Sequence, residues 1–428
     1  MWTPSAFIII VMAVQNINTI QVTQILGSLS PQERLFFSKD SLRNGLTKFP
    51  YAICGLINNF DQYEISCEVH LGSSLDRVKT SQSCGTYRYI RSWAKKLWDS
   101  NIKFDVGTLA DSNKTIISFE EPAVDGYHNV KRTVIIWDMT TCSKKILEFF
   151  YIHVDSDDSD DSEFTPHESY IIMHGNMFEV IVADDSKCQI FRGLCRLTYD
   201  ANGKLQKVSF PFPIDMVAAE VGLIENSSHK KGYYAVEYRN ISRGKISARR
   251  ITEHGYSRQF DTELDANLLM NTSVSTAHDL FTLCELRYLG EGLRGDAHLI
   301  QCCQFDSETG EYRFSATYHY PVAINTISIH NIPSRGFWIA ALGCGRKSKE
   351  RRCELSVGRV EAFDRDWQFY KYELETDCSG GKNEIMLDIE HIYDTQYCFN
   401  VLCTSKARGH RDLSFSRKCI TLAYKVLE

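Results

Sequence analysis

The feature that most narrows the fold is a recurring unit: an apolar strand, a short polar turn, then a second apolar strand. Tyr51–Cys67 has apolar residues on both sides of a turn at Asn58, Asn59 and Asp61. Cys195–Leu205 turns at Asn202-Gly203, a pair suited to the type I′ hairpin turn because both central residues there need positive φ. The scheme returns at Ile135–Leu147, at Tyr233–Ala248, at Leu299–Phe314 and at Val357–Tyr372. These segments alternate with period two and are rich in Val, Ile, Tyr, Phe and Thr, as half-buried strands should be. Amphipathic helical patterns are few, and Ile90–Ser100 and Asp261–Met270 are the best short candidates.

Marked hairpins recur at roughly 40–65 residues, the length of one four-stranded blade with variable loops. The strand–Asp–turn–Gly–strand units resemble the outer hairpins of β-propeller blades. That resemblance implies an all-β propeller, seven-bladed with six also possible, and a ring closed by the C-terminal strand Cys419–Leu427. The expected division is a signal peptide over 1–20, a lead-in over 21–44 and the propeller over 45–428. Two β-sandwich domains are the alternative, since they show similar hairpins. Trp137-Asp138 occurs once and not at a repeat spacing. Size, leader and glycosylation sequons are similar to the secreted yellow and royal-jelly group, whose motifs do not match here. The chain also resembles insect secretory products of the venom- or salivary-gland type.

Export is the second expectation. Ala6–Val14 is an apolar run of signal-peptide length, too short to cross a bilayer, although no Lys or Arg precedes it. All 15 cysteines follow Ile53, which suits disulfides in an oxidising compartment. Four N-x-S/T sequons, at Asn113, Asn226, Asn240 and Asn271, are glycosylation candidates. The expected location is therefore extracellular, with no membrane span. Lys and Arg total 48 against 54 Asp and Glu, so the basic footprint of a nucleic-acid binder is missing.

Among the cysteines, Cys54 and Cys67 flank a turn, Cys188 and Cys195 bracket a short loop, and Cys344 and Cys353 bracket a basic one. Each pair is a disulfide candidate. Cys302 and Cys303 are adjacent, so a strand would point them to opposite faces, one bridged and the other free. The odd total leaves at least one thiol unpaired within the chain.

No catalytic motif is found. G-x-S-x-G and H-E-x-x-H are absent, and His167-Glu168 with His174 has the wrong spacing for a zinc pair on a helix. The acidic run Asp155, Asp157, Asp158, Asp160, Asp161 and Glu163 offers oxygen ligands for calcium. It lacks the glycine and closing glutamate of an EF-hand and reads first as a solvated loop. Calcium is the one cofactor this leaves open. Arg346, Lys347, Lys349, Arg351 and Arg352 form a basic loop that would attract anionic glycans. The expected function is that of a secreted, disulfide-bonded glycoprotein, an extracellular binding or effector protein whose ligand or protein partner the sequence leaves open. The alternatives are a calcium-assisted hydrolase or lactonase on the same scaffold, and a structural or storage secretion.

Overall fold

In the computed structural model the described residues are all-β and form seven four-stranded antiparallel sheets. It describes the strands named below and residues 112–113, 139–143, 169, 175–176, 201–204, 276–279, 307–311, 323–325, 333 and 367. Strand β1 is Ile10–Ala13. The first blade holds β2 (Arg34–Phe36), β3 (Tyr51–Asn59), β4 (Gln62–His70) and β5 (Ser83–Ser92). The second holds β6 (Lys103–Leu109), β7 (Lys114–Glu121), β8 (Asn129–Asp138) and β9 (Lys144–Ile152). The third holds β10 (Tyr170–His174), β11 (Met177–Val182), β12 (Leu194–Asp200) and β13 (Leu205–Phe212). The fourth holds β14 (Ala218–Ile224), β15 (Gly232–Arg239), β16 (Lys245–Thr252) and β17 (Gly255–Asp265). The fifth holds β18 (Leu269–Ser275), β19 (Leu280–Gly292), β20 (Gly295–Asp306) and β21 (Tyr312–Tyr320). The sixth holds β22 (Thr326–Ile332), β23 (Gly336–Lys347), β24 (Glu350–Glu361) and β25 (Gln368–Leu374). The seventh holds β26 (Ile385–Tyr393), β27 (Gln396–Ala407) and β28 (His410–Tyr424), with β1 added to β28.

In the first six blades the strands follow chain order, A to D; in the seventh, β26, β27 and β28 are A to C and β1 takes the D place. The A strands touch those of neighbouring blades and so lie innermost: β10 meets β6 and β14, and β22 meets β18 and β26. The described core consists of five apolar clusters, and each is shared by two successive sheets. Trp137 and Phe119 of the second blade pack with Ile65 and Val69 of the first. Trp338 of the sixth packs with Phe399 of the seventh. Both faces of the second, fifth and sixth blades are therefore covered by their neighbours. This explains near-continuous apolar runs such as Val134–Trp137 and Phe337–Leu342, whose residues are almost all fully buried.

The repeated Asp in the hairpin pattern has a physical role at the C–D turn. Asp138, Asp200 and Asp306 each end a C strand. One carboxylate oxygen of each accepts two backbone N–H groups from the turn, at 2.8 to 3.1 Å. Each turn then needs one left-handed residue, at Cys142, Gly203 and Gly310. The Asn202-Gly203 turn differs from the type I′ expectation, because only Gly203 takes positive φ and the Asp200 carboxylate organises the rest. Burial pushes the Asp138 and Asp306 carboxyls up, but their hydrogen bonds outweigh it and hold both below the usual range. For Asp200 the turn N–H groups dominate, in the same downward direction.

Buried polar groups also tie one blade to the next. Arg132, fully buried on β8, donates to Asp105 Oδ2 (3.0 Å), Ser118 Oγ (2.9 Å), Glu120 Oε2 (3.1 Å) and the Ser169 carbonyl (2.9 Å). Ser169 leads into the third blade. One blade further on, Tyr233 of β15 donates to Glu179 Oε2 of β11 at 2.7 Å, and Arg196 donates to the Tyr233 hydroxyl. Burial raises the Glu179 pKa, but bonds from His174 and Tyr233 and the Arg196 charge bring it below the ordinary value.

Seven blades are present among the described residues, the number expected. Four other expectations change. Asp261–Met270 is not a helix: Asp261–Asp265 completes β17 and Leu269 opens β18, because pairing with β16 and β19 overrides a short helical periodicity. Ile90–Ser92 likewise belongs to β5. The propeller starts before residue 45, since β2 is the A strand of the first blade. Closure is completed by the N-terminal strand and not by the C-terminal one: β28 is the third strand of the last blade, where Ile10 to Ala13 pair with Tyr424 to Thr421. Those four residues lie inside the segment read as a leader.

Two stability tests follow from these bonds. Arg132→Ala should lower unfolding free energy by about 3–5 kcal/mol in a urea titration, because the buried Glu120 and the partly buried Asp105 lose their counter-charge. Asp306→Ala should cost about 1–2 kcal/mol at neutral pH. A depressed carboxyl stabilises the fold above its unfolded pKa, so the gap between wild type and variant should close as pH falls below about 4.

Candidate functional site

Three histidines from three successive blades meet at one mouth of the ring. His278 sits in the A–B turn of the fifth blade, His330 near the end of β22 and His391 near the end of β26. One nitrogen from each imidazole lies within 4.8 Å of the others. Ring centroids are 5.9 to 6.1 Å apart. His278 is exposed, while His330 and His391 are partly buried.

The surrounding structure fixes each ring. His278 and Asp279 both take positive φ, 60° and 56°, forming a turn closed by Leu280 N donating to the Ala277 carbonyl at 3.3 Å. Left-handed backbone costs a non-glycine residue about 1 kcal/mol or more, and glycine would relieve it. Asn331 follows His330 and is fully buried. Its Nδ2 donates to the carbonyls of Ser275 (3.0 Å), Ala277 (3.2 Å) and Leu280 (2.9 Å), and its N–H to Ser275 Oγ (2.9 Å). One carboxamide thereby bolts the His278 turn onto the strand that carries His330. Behind the site, His330 is paired in register with Trp338, and His391 with Tyr397. The His391 ring stacks on Tyr397 at 4.7 Å and 20°, and Tyr397 in turn packs on Trp338. His391 Nε2 is buried, with no hydrogen-bond partner among the described residues.

No residue of this group is legible as a site in the sequence. The three histidines are 52 and 61 residues apart, one blade each. Their positions relative to the A–B turns become comparable only once the strands are assigned.

The sequence candidates lie elsewhere. The acidic run 155–163, Cys188, Lys349, Asn226 and Asn240 fall outside the described residues. The basic loop is the B–C hairpin of the sixth blade, with Arg346 opposite Arg351 and Lys347 opposite Glu350. B–C turns project from the mouth opposite the histidines. Asn113 is exposed at the A–B turn of the second blade. Asn271 lies within β18 with its carboxamide oxygen buried.

Disulfides join Cys84 to Cys142, Cys284 to Cys302, Cys344 to Cys353 and Cys398 to Cys419. The last three span B and C strands within single blades, whereas Cys84–Cys142 joins the first blade to the second. Cys67 and Cys195 are also disulfide-bonded, and Cys67 is paired in register with Cys54. Cys303 is a buried free thiol whose pKa is pushed up to about 11, first by burial and then by the Glu285 charge.

No protein-family profile and no curated protein matches the chain. Similar solved structures include Atg21 in complex with the coiled coil of Atg16 (12% identity, TM-score 0.44, covering 89% of this chain and 95% of that one). The WD40 domain of SCAP from fission yeast shows 7% identity and a TM-score of 0.39, covering 96% and 98%. The N11 neuraminidase-like protein of a flat-faced bat influenza virus shows 10% identity and 0.34, covering 70% and 86%. The strand pairing, not these distant likenesses, defines the class: an all-β, disulfide-bonded propeller.

The positioning role of Asn331 is testable. Asn331→Asp places a carboxylate where Nδ2 donates to three carbonyls, so it should lower the melting temperature. In NMR spectra it should also broaden or shift the His278 imidazole resonances more than those of His174.

Proposed function

We propose that the protein is an extracellular binding protein whose ligand seat is the mouth lined by His278, His330 and His391. The convergence of three side chains from three blades carries this reading. The disulfides support an oxidising, extracellular-type environment. A calcium-assisted hydrolase would need converging oxygen donors, and this group offers imidazole nitrogens, which suit other metals. Binding of anionic glycans would instead use the 346–352 hairpin on the opposite mouth.

Export with leader removal has one structural cost. It would strip β1 from the last blade and leave β28 as its outer strand, held to β27 by Cys398–Cys419. In protein secreted from insect cells, we expect sequencing to find an N-terminus beyond Ala13 and glycopeptide mapping to find a glycan on Asn113 but not on Asn271. A retained Ile10–Ala13 would remove the leader and leave the ring closed by β1.

The binding seat is tested by a thermal-shift panel of metal ions, anions and sulfated glycans. Ligands that raise the melting temperature of wild type should lose their effect in His330→Ala and His391→Ala, yet keep it when Arg346, Arg351 and Arg352 are all alanine. The opposite pattern would move the seat to the basic hairpin.

A further inference from the structure

We infer that His278, His330 and His391 form a binding site for a divalent transition-metal ion, with zinc the best fit and an exchangeable fourth position facing the mouth. The inference rests on the same mouth being the ligand seat, and it adds the identity of what binds. Three neutral imidazoles are a complete protein contribution to an open tetrahedral zinc site. Zinc–nitrogen bonds of 2.0–2.1 Å place the ligand nitrogens about 3.3 Å apart. The three nitrogens already lie within 4.8 Å of one another, so modest side-chain rotations close the set. Calcium and magnesium, which take oxygen ligands, are disfavoured.

Three independent observations support the assignment. His391 Nε2 is buried without a hydrogen-bond partner among the described residues, so a coordinate bond would satisfy an otherwise unpaired polar atom. His278 and its neighbour Asp279 hold a doubly left-handed turn that glycine would relax, and strain of this kind collects at functional sites. Asn331 then locks that turn to the strand bearing His330 through three donated bonds, as a supporting shell does for metal ligands. Among the described residues, no Cys, Asp, Glu or fourth His joins the group. The exposed His278 marks the open side, where water or a small anion completes the shell.

The test uses full-length protein stripped with chelator. Isothermal titration with Zn²⁺ should give one site per chain, and Co²⁺ should give the intense visible absorption of a four-coordinate centre. Adding azide should shift that absorption if the fourth position is exchangeable; an unchanged spectrum would overturn the open-position part.

His278→Gly is the decisive variant, because it removes a ligand from an exposed turn and also relieves the left-handed backbone. It should weaken Zn²⁺ binding about 100-fold while raising the melting temperature of the metal-free protein. Unchanged affinity in this variant, or absence of a one-to-one zinc site in wild type, would overturn the metal assignment. If the thermal-shift panel still finds a non-metal ligand lost in His330→Ala and His391→Ala, the mouth remains the seat and only the metal falls.

Discussion

The structure depends on mutual burial of sheet faces. A blade such as β6–β9 has apolar residues on both sides: Val134 and Ile136 face the third blade, Ile135 and Trp137 the first. Neither face can be left in water, so no blade is a stable unit alone, and stability belongs to the ring. The buried polar ties fit the same logic. Arg132 and the Glu179–Tyr233–Arg196 group sit at seams between blades, where unpaired charge would be most disruptive. They fix how one sheet registers on the next, which apolar contact alone specifies loosely.

Much of this was legible in the sequence because it is local. The Asp–turn–Gly hairpins carry their own chemistry: a carboxylate to gather turn N–H groups and a glycine for the left-handed residue. They could be recognised without knowing the fold. Asp261–Met270 misled because its periodicity is short and the pairing that overrides it comes from β16 and β19, remote information that no window contains. The histidine site was illegible for a related reason. Each histidine has unremarkable neighbours, and only the turn of the ring from one blade to the next brings them within reach.

Asn331 links these two kinds of information. A buried asparagine in an Ile-His-Asn-Ile strand looks like an isolated polar intrusion. In the fold it satisfies a turn some fifty residues earlier in the chain, and so transmits the geometry of the fifth blade to the sixth. Inter-blade bonds of this sort make the mouth a pre-organised surface; its side chains need not be ordered afresh when something binds.

Cys303 has a chemical consequence of its own. It stands next to Cys302, which is bridged to Cys284, yet strand alternation sends the two sulfurs to opposite faces of β20. Burial and the Glu285 charge keep the thiol protonated, so it is a poor nucleophile while the sheet is intact. Once heat or alkali opens the fifth blade, that thiol becomes a thiolate beside a cystine and can start disulfide exchange. Thermal opening of that sheet would then be followed by scrambling, which turns a reversible opening into an irreversible loss.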